Sequence, residues 1–230
     1  MNIITGETTE NMETTSLRTQ SDVQTKVSKK VYIKIKRVID VILASIALIL
    51  LSPLFAIIAI AIKIDSKGSV FFAHKRIGKN GKIIKLYKFR SMVINAEELI
   101  KSFTLEQMKE YKENYKLTND PRITKVGKFL RKTSLDELPQ LINIINGDLS
   151  IIGPRPVSAD ELEKYGTNKD KFLSVTPGLT GYWAANGRSN TTYEQRMEME
   201  LYYIDNLSFK MDVKVFFKTI LSVLKKEGAI

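Results

Sequence analysis

The longest apolar block in the chain, Val41 to Ile62, carries no charge and has Ser52-Pro53 at its middle. As a straight helix it would reach ~33 Å, enough to cross a bilayer core. Pro53 has no N–H to return to the carbonyl of Ile49, and its ring crowds that turn. The Ser52 hydroxyl is placed to satisfy the carbonyl so freed. Each half is then too short to span alone. Lysines and arginines flank the block on both sides: Lys26, Lys29, Lys30, Lys34, Lys36 and Arg37 before it, Lys63, Lys67, Lys75, Arg76 and Lys79 after it. Basic flanks stay on the cytoplasmic side. A segment that dips in and returns keeps both there, whereas a kinked span, which proline permits, exports one. Physics alone leaves both open. The long polar stretch ahead of the block argues against a signal peptide.

Elsewhere the pattern is that of a folded domain. Residues 1–28, rich in Thr, Ser and Glu, have no apolar period and read as a disordered tail. Residues 29–66 are expected to form the membrane-associated part and 67–230 the folded domain. Val70-Phe71-Phe72 and Ile83 to Tyr87 flank the turn Gly78-Lys79-Asn80-Gly81 and predict a β-hairpin. Ala96 to Lys116 predicts a charged surface helix with Leu99, Phe103 and Tyr111 as sparse apolar positions. Leu138, Leu141, Ile142 and Ile145 predict a buried helix face, ended by Gly147. Near the C-terminus Val213, Phe216, Phe217, Ile220, Leu221 and Leu224 fall on one stripe, with Lys214, Lys218, Lys225 and Lys226 beside it. That helix packs on the core, lies in the headgroup layer, or does both at its two ends. The expected class is mainly α with a small β-hairpin (α+β).

Composition narrows the chemistry. There is no cysteine, which excludes disulfides and thiolate metal sites, and His74 is the single histidine. The net charge of +11, set beside an apolar anchor, points to anionic membrane lipids and phosphate-bearing substrates. No nucleic acid is expected, because no binding motif for it is present.

Residues suited to phosphate chemistry gather between Asp120 and Pro156. They include Asp120-Pro121-Arg122, Arg131-Lys132, Asp136-Glu137, Gly147-Asp148 and Gly153-Pro154-Arg155-Pro156. Lys88-Phe89-Arg90 follows the hairpin, and Pro177-Gly178-Leu179-Thr180-Gly181 leads through Trp183 to Arg188. Asp136 and Glu137 admit two readings. They complement the dipole of a helix starting near Asp136, where Ser134 and Glu137 have capping-box spacing. Alternatively they are a nucleophile and its neighbour, set among N–H groups and arginines that attract phosphate. Asp148 could bind a metal or cap a turn.

In this order the motifs resemble those of the bacterial sugar transferases that act on polyprenyl phosphate, the monotopic phosphoglycosyl transferases. Those that carry the resemblance are Lys36-Arg37-x-x-Asp40, Ser52-Pro53, Arg76-x-Gly78-x-x-Gly81, Lys88-Phe89-Arg90-Ser91-Met92, Asp120-Pro121-Arg122-x-Thr124-x-x-Gly127, Ser134 to Gln140, Gly147-Asp148-x-Ser150-x-x-Gly153-Pro154-Arg155-Pro156 and Pro177 to Gly181. The resemblance implies transfer of a sugar-1-phosphate from a UDP-sugar to undecaprenyl phosphate, with release of UMP, as the first step of a capsule, exopolysaccharide or glycan repeat unit. It implies Asp136 as the nucleophile that carries a covalent phosphosugar, Glu137 as its partner, and Mg²⁺ held by the two. Arg76, Lys88, Arg90, Arg122, Arg131, Asp148, Arg155, Thr180 and Arg188 are the expected substrate and phosphate contacts. It also implies a re-entrant anchor broken at Ser52-Pro53, at the cytoplasmic face of a bacterial inner membrane. A second copy of the chain and other glycan-assembly enzymes are the expected protein partners. His74, Ala184 and Glu200 depart from the usual pattern and leave the sugar open, a hexose being expected by analogy. The chain looks like the short form of the family, without additional upstream membrane helices. A non-catalytic membrane-surface scaffold and a nucleotide-sugar hydrolase are the alternatives.

Overall fold

In the computed structural model, residues 29–114, 117, 119–187 and 191–224 are described. The polar tail at 1–28, Arg188, Lys225 and Lys226 lie outside the described residues.

Two helices open the fold. α1 runs Lys29–Leu50 and α2 Ser52–Asp65, bent by 60° at the break, and neither alone is long and apolar enough to cross a membrane. Pro53 sits in the first turn of α2, where its missing N–H costs least. The Ser52 hydroxyl donates to the Ile49 carbonyl at 2.8 Å, the same carbonyl that Pro53 leaves without its amide. The apolar outer residues of the pair, among them Ile49, Leu50, Ile57, Ile60 and Ile64, are exposed.

The first half of α1 is bound into the rest of the protein. Lys36 pairs with Asp212 at 2.7 Å, and Tyr32 donates to the same carboxylate. Arg37 donates to the carbonyls of Ile144 and Ile145, a helix C-terminus in need of donors. The Asp40 carboxylate accepts from the Ser150 hydroxyl at 2.7 Å and the Ile151 amide at 3.1 Å. Lys36-Arg37-x-x-Asp40 is therefore a clamp. At the other end of the bent pair, Asp65 accepts from the Val126 amide at 3.0 Å.

The hairpin forms as predicted, with β1 Phe71–Ile77 antiparallel to β2 Ile83–Phe89 and Asn80 in the left-handed region at its turn. The predicted helix over 96–116 is broken. α3 Ala96–Leu99 passes through a 3₁₀ turn before α4, Leu105–Asn114. Thr104 and Gln107 cap the restart reciprocally, which explains why the charged run does not continue as one helix. α5 (Lys125–Thr133) is capped by Thr124, which accepts from the Gly127 amide at 2.9 Å. α6 is Gln140–Asn146. Its most buried residues are Asn143 and Ile144, while Leu138, Ile142 and Ile145 are half-buried. The predicted face is thus rotated, because Asn143 turns inward to bond the edge of β2 at the Tyr87 amide (2.9 Å) and the Lys85 carbonyl (2.7 Å).

A parallel pair follows that the sequence pattern did not indicate: β3 Ser150–Ile152 beside β4 Gly178–Thr180. Between and after these strands lie α7 Ala159–Glu163, α8 Lys169–Leu173, α9 Tyr182–Asn186, α10 Tyr193–Asp205 and α11 Phe209–Leu224. Among the described residues, three apolar clusters hold the fold. One joins Ile152, Val157, Phe172, Tyr203 and Val215; another joins Ala44 of α1 to Ile84, Leu86, Leu141 and Ile144; the third joins Ile58 and Ile62 of α2 to Phe89 and Leu130. The protein is mainly helical with a small antiparallel hairpin, as expected.

α11 has the predicted stripe, but it points outward. Val213, Phe216, Phe217, Ile220 and Leu221 are exposed, and the inward face is Asp212, Val215 and Ser222. The stripe does not pack on the core, but the opposite face of the helix does, through Val215.

Candidate functional site

The dyad lies in a single 3₁₀ turn, Leu135–Glu137, between α5 and α6. α5 stops at Ser134, whose φ of 57° is left-handed, and Ser134 makes no side-chain cap. The capping-box alternative fails for that reason, and helix α6 begins only at Gln140 after Pro139. A left-handed residue followed by a tight turn throws Asp136 inward and leaves Glu137 at a pocket edge. Asp136 is 8% exposed. Burial pushes its carboxyl above the usual carboxylate range; Lys88 and Arg131 oppose that shift and Glu137 adds to it.

Lys88, on β2, bridges the pair. Its Nζ lies 2.6 Å from Glu137 Oε1 and 3.9 Å from Asp136 Oδ2. Arg131 is held on the other side by its Nε–H donating to Ser91 Oγ at 2.9 Å. That placement depends on Gly127: a Cβ there would lie 2.0 Å from the Ser91 carbonyl oxygen, so only glycine lets α5 approach so closely.

Lys88 and Glu137 open on a pocket also lined by His74, Arg76, Gln140, Arg155 and Leu179. Arg155 is presented by a rigid frame. Its backbone N–H donates to Glu200 Oε1 at 3.0 Å, and its guanidinium lies 5.9 Å from the Trp183 ring centroid. Glu200 is 1% exposed, and burial raises its pKa to about 7. Gly153, Gly178 and Gly181 are packed backbone to backbone beneath the loop; a Cβ on Gly178 or Gly181 would lie 2.1 Å from Gly153 atoms. Arg76 is joined through Glu161 to Arg196 at 3.3 and 3.2 Å, and Arg196 lies against the faces of Trp183 and Tyr193. Partial desolvation, with Arg76 and Lys88 close by, holds the His74 pKa below its ordinary value, so the imidazole is neutral at pH 7.

Of the residues singled out by sequence, the pocket gathers Arg76, Lys88, Glu137 and Arg155, with Asp136 and Arg131 behind the lysine. Others are engaged elsewhere. Arg90 caps α2, donating to the carbonyls of Ser66 (2.8 Å) and Lys67, where a helix end lacks donors. Arg122 forms a two-pronged pair with Asp120 at 2.8 and 2.7 Å, between the rings of Phe103 and Tyr111. Asp148 pairs with Lys82 at 3.1 Å by the hairpin turn. The Thr180 hydroxyl meets that of Thr219 on α11 at 3.0 Å. These four contact the fold and do not line the pocket. Gln140 and Leu179 stood in the quoted motifs without a role of their own, and Glu161 and Arg196 went unnoticed in the sequence. Their link to Arg76 joins distant parts of the chain, and no local spacing discloses it.

No group of three or more acidic or histidine side chains able to hold a metal is present among the described residues. Asp136 and Glu137 still fit Mg²⁺, which prefers oxygen ligands and keeps several waters, so that two carboxylates and phosphate oxygens suffice.

The chain matches the bacterial sugar transferases over residues 31–226 and belongs to that family. It is 45% identical over 197 residues to the exopolysaccharide production protein ExoY of Rhizobium meliloti, covering 84% of this chain and 87% of that one. It is 40% identical over 210 residues to the undecaprenyl-phosphate galactose phosphotransferase of Salmonella typhimurium, covering 90% of this chain and 44% of that protein. It is likewise 40% identical over 194 residues to the UDP-glucose:undecaprenyl-phosphate glucose-1-phosphate transferase of Escherichia coli, covering 81% of this chain and 39% of that protein. The chain thus spans less than half the length of the latter two.

Proposed function

We propose that this protein is a phosphoglycosyl transferase that moves a sugar-1-phosphate from a UDP-sugar to undecaprenyl phosphate, at the start of a capsule or exopolysaccharide repeat unit. The observation that carries the reading is the Asp136-Glu137 pair bridged by Lys88 at the mouth of a pocket that also presents Arg76 and Arg155. The names of the relatives supply the substrate classes.

A carboxylate can split one phosphoryl displacement into two. An oxygen of Asp136 attacks the sugar-bearing phosphorus of the donor. The bond from that phosphorus to the bridging oxygen breaks, UMP leaves with the electron pair, and an acyl phosphate joins Asp136 to the sugar phosphate. A phosphate oxygen of the lipid then attacks the same phosphorus, the bond to Asp136 breaks, and the carboxylate returns. Lys88, Arg131 and Arg155 stabilise charge that develops on the phosphoryl oxygens. Mg²⁺, held by Glu137 with Asp136, would neutralise diphosphate charge when bound. Burial disfavours the charged form of Asp136, and Lys88 and Arg131 favour the carboxylate that attacks.

The anchor reading is a re-entrant loop at the cytoplasmic face of the inner membrane. What supports it is that both ends of the bent pair are fixed to one body: α1 through Lys36, Arg37 and Asp40, α2 through Asp65. The outward apolar stripe of α11 suits contact with anionic lipid in the same layer.

Replacing Asp136 with Asn tests the chemistry. The variant is expected to release no UMP from any UDP-hexose, and the wild type, given donor without lipid, to carry a phosphosugar adduct on Asp136 by mass spectrometry. Near-normal turnover by the variant would overturn the assignment of the nucleophile.

A further inference from the structure

The site described above accounts for phosphate but not for the hydrocarbon of a lipid acceptor. Phe72 and Lys88 are direct partners in the hairpin register. Opposed side chains share one face, with Cβ atoms ~5 Å apart. The Lys88 ammonium is the group that reaches both carboxylates of the dyad. Two residues along the same strand, the His74 ring centroid lies 6.1 Å from that of Phe72, and His74 lines the pocket. Along this face the order is an aromatic ring beside Lys88, then His74, then Arg76.

The aromatic end is the end nearest the membrane helices. Arg90, directly after β2, binds the C-terminal carbonyls of α2. Phe89 packs edge-on against Phe55 of α2, its centroid 5.0 Å away. The exposed stripe Ile57, Ile60 and Ile64 ends where α2 ends, and the short connection Ser66 to Val70 leads into β1. At this end Phe89 is 1% exposed and buried by the fold; Phe71, 47% exposed, stacks on it on the other face of the hairpin, and Phe72 is 52% exposed. Exposed phenylalanines are in themselves ordinary. A phenylalanine opposed in register to a lysine that holds the dyad is a particular juxtaposition: an apolar surface and a phosphate-seeking cation within one residue's reach. A ligand that satisfies both carries a phosphate directly on a hydrocarbon. A nucleotide sugar, with its many anionic oxygens, is matched instead by the Arg76 and Arg155 end of the pocket.

We infer that Phe72 seats the first isoprene units of the lipid acceptor, with its phosphate at Lys88. The inference rests on the transferase reading and specifies where that reaction's acceptor lies. The full chain, in vesicles of phosphatidylethanolamine and phosphatidylglycerol, tests it with undecaprenyl phosphate and whichever of UDP-glucose or UDP-galactose supports turnover. Phe72→Ala is expected to raise the KM for undecaprenyl phosphate roughly tenfold, the loss expected when one aromatic side chain stops burying hydrocarbon. Phe72→Leu is expected to recover most of that loss. Equilibrium binding of undecaprenyl phosphate without donor should weaken by a similar factor. An unchanged KM overturns the inference. So does a parallel loss of binding to vesicles free of acceptor, which would make Phe72 a bilayer anchor, or a rise in the donor KM alone, which would place the ring on the nucleotide. Wild-type protein that binds undecaprenyl phosphate through Phe72 but transfers nothing would overturn the transferase reading and leave this subsite standing.

Discussion

Lys88 shows how one side chain holds the site together. Two carboxylates side by side repel, and burial already disfavours the charged form of Asp136. Lys88 is the largest force acting the other way, and attack on phosphorus requires the carboxylate. In Lys88→Gln the Asp136 pKa rises further. At a given pH less of the nucleophile is ionised, so the acid limb of the pH–rate profile moves to higher pH. A phosphoryl-stabilising charge is lost as well, and turnover at pH 7 should fall by about a hundredfold. Part of that loss should return as the pH is raised. A steady-state pH profile of both proteins checks it, and an acid limb that stays in place would disprove the coupling. Lys88→Arg keeps the charge but presents a planar fork where a compact ammonium fits between Glu137 and Asp136, so partial activity is expected.

The turn that carries the dyad is set by how α5 meets the strand end at Ser91. Gly127→Ala would put a methyl group 2.0 Å from the Ser91 carbonyl oxygen, a backbone atom that cannot rotate away. α5 must shift, at a cost of about 1–3 kcal/mol, and Arg131 and the Asp136 turn shift with it. Thermal unfolding should report the loss of stability, and a fall in kcat larger than any change in donor KM should report the displaced turn. The same comparison shows what sequence can and cannot disclose. The hairpin, the Ser52-Pro53 break and the dyad were legible because each has a local cause: turn glycine, missing amide, adjacent carboxylates. The contacts that Arg90, Arg122, Asp148 and Thr180 make within the fold were not. A guanidinium suits a helix C-terminus or an aspartate as well as it suits phosphate, and spacing does not say which it meets. The period of α11 was legible but its direction was not, since an apolar stripe is the same whether it faces core or lipid. β3 and β4 are three residues each, too short for alternation to appear.

Taken whole, the protein fixes both ends of its bent helix pair to one body. Tyr32, Lys36, Arg37 and Asp40 of α1 bind α11, α6 and β3, while Asp65 of α2 binds the N-terminus of α5. A straight span would have to tear one set of contacts from the body, leaving Asp40 and Asp212 without their buried partners, and breaking a buried ion pair costs several kcal/mol. It would also export one basic flank. The break at Ser52-Pro53 removes the need, because Ser52 satisfies the Ile49 carbonyl and the chain can turn within the apolar layer without an unpaired backbone group. The absence of cysteine makes the test direct. Single cysteines at Lys30, ahead of the bend, and at Lys79, in the hairpin turn, should both resist a membrane-impermeant thiol reagent in intact cells and both react after lysis. Reaction of the residue-30 cysteine alone from outside would mean a true span, and would require the Lys36, Arg37 and Asp40 clamp to be open in the membrane. Replacing Pro53 with Leu restores the missing amide and favours a straight helix; in that variant the Lys30 position is expected to gain accessibility from outside, with loss of activity in step with the fraction exposed.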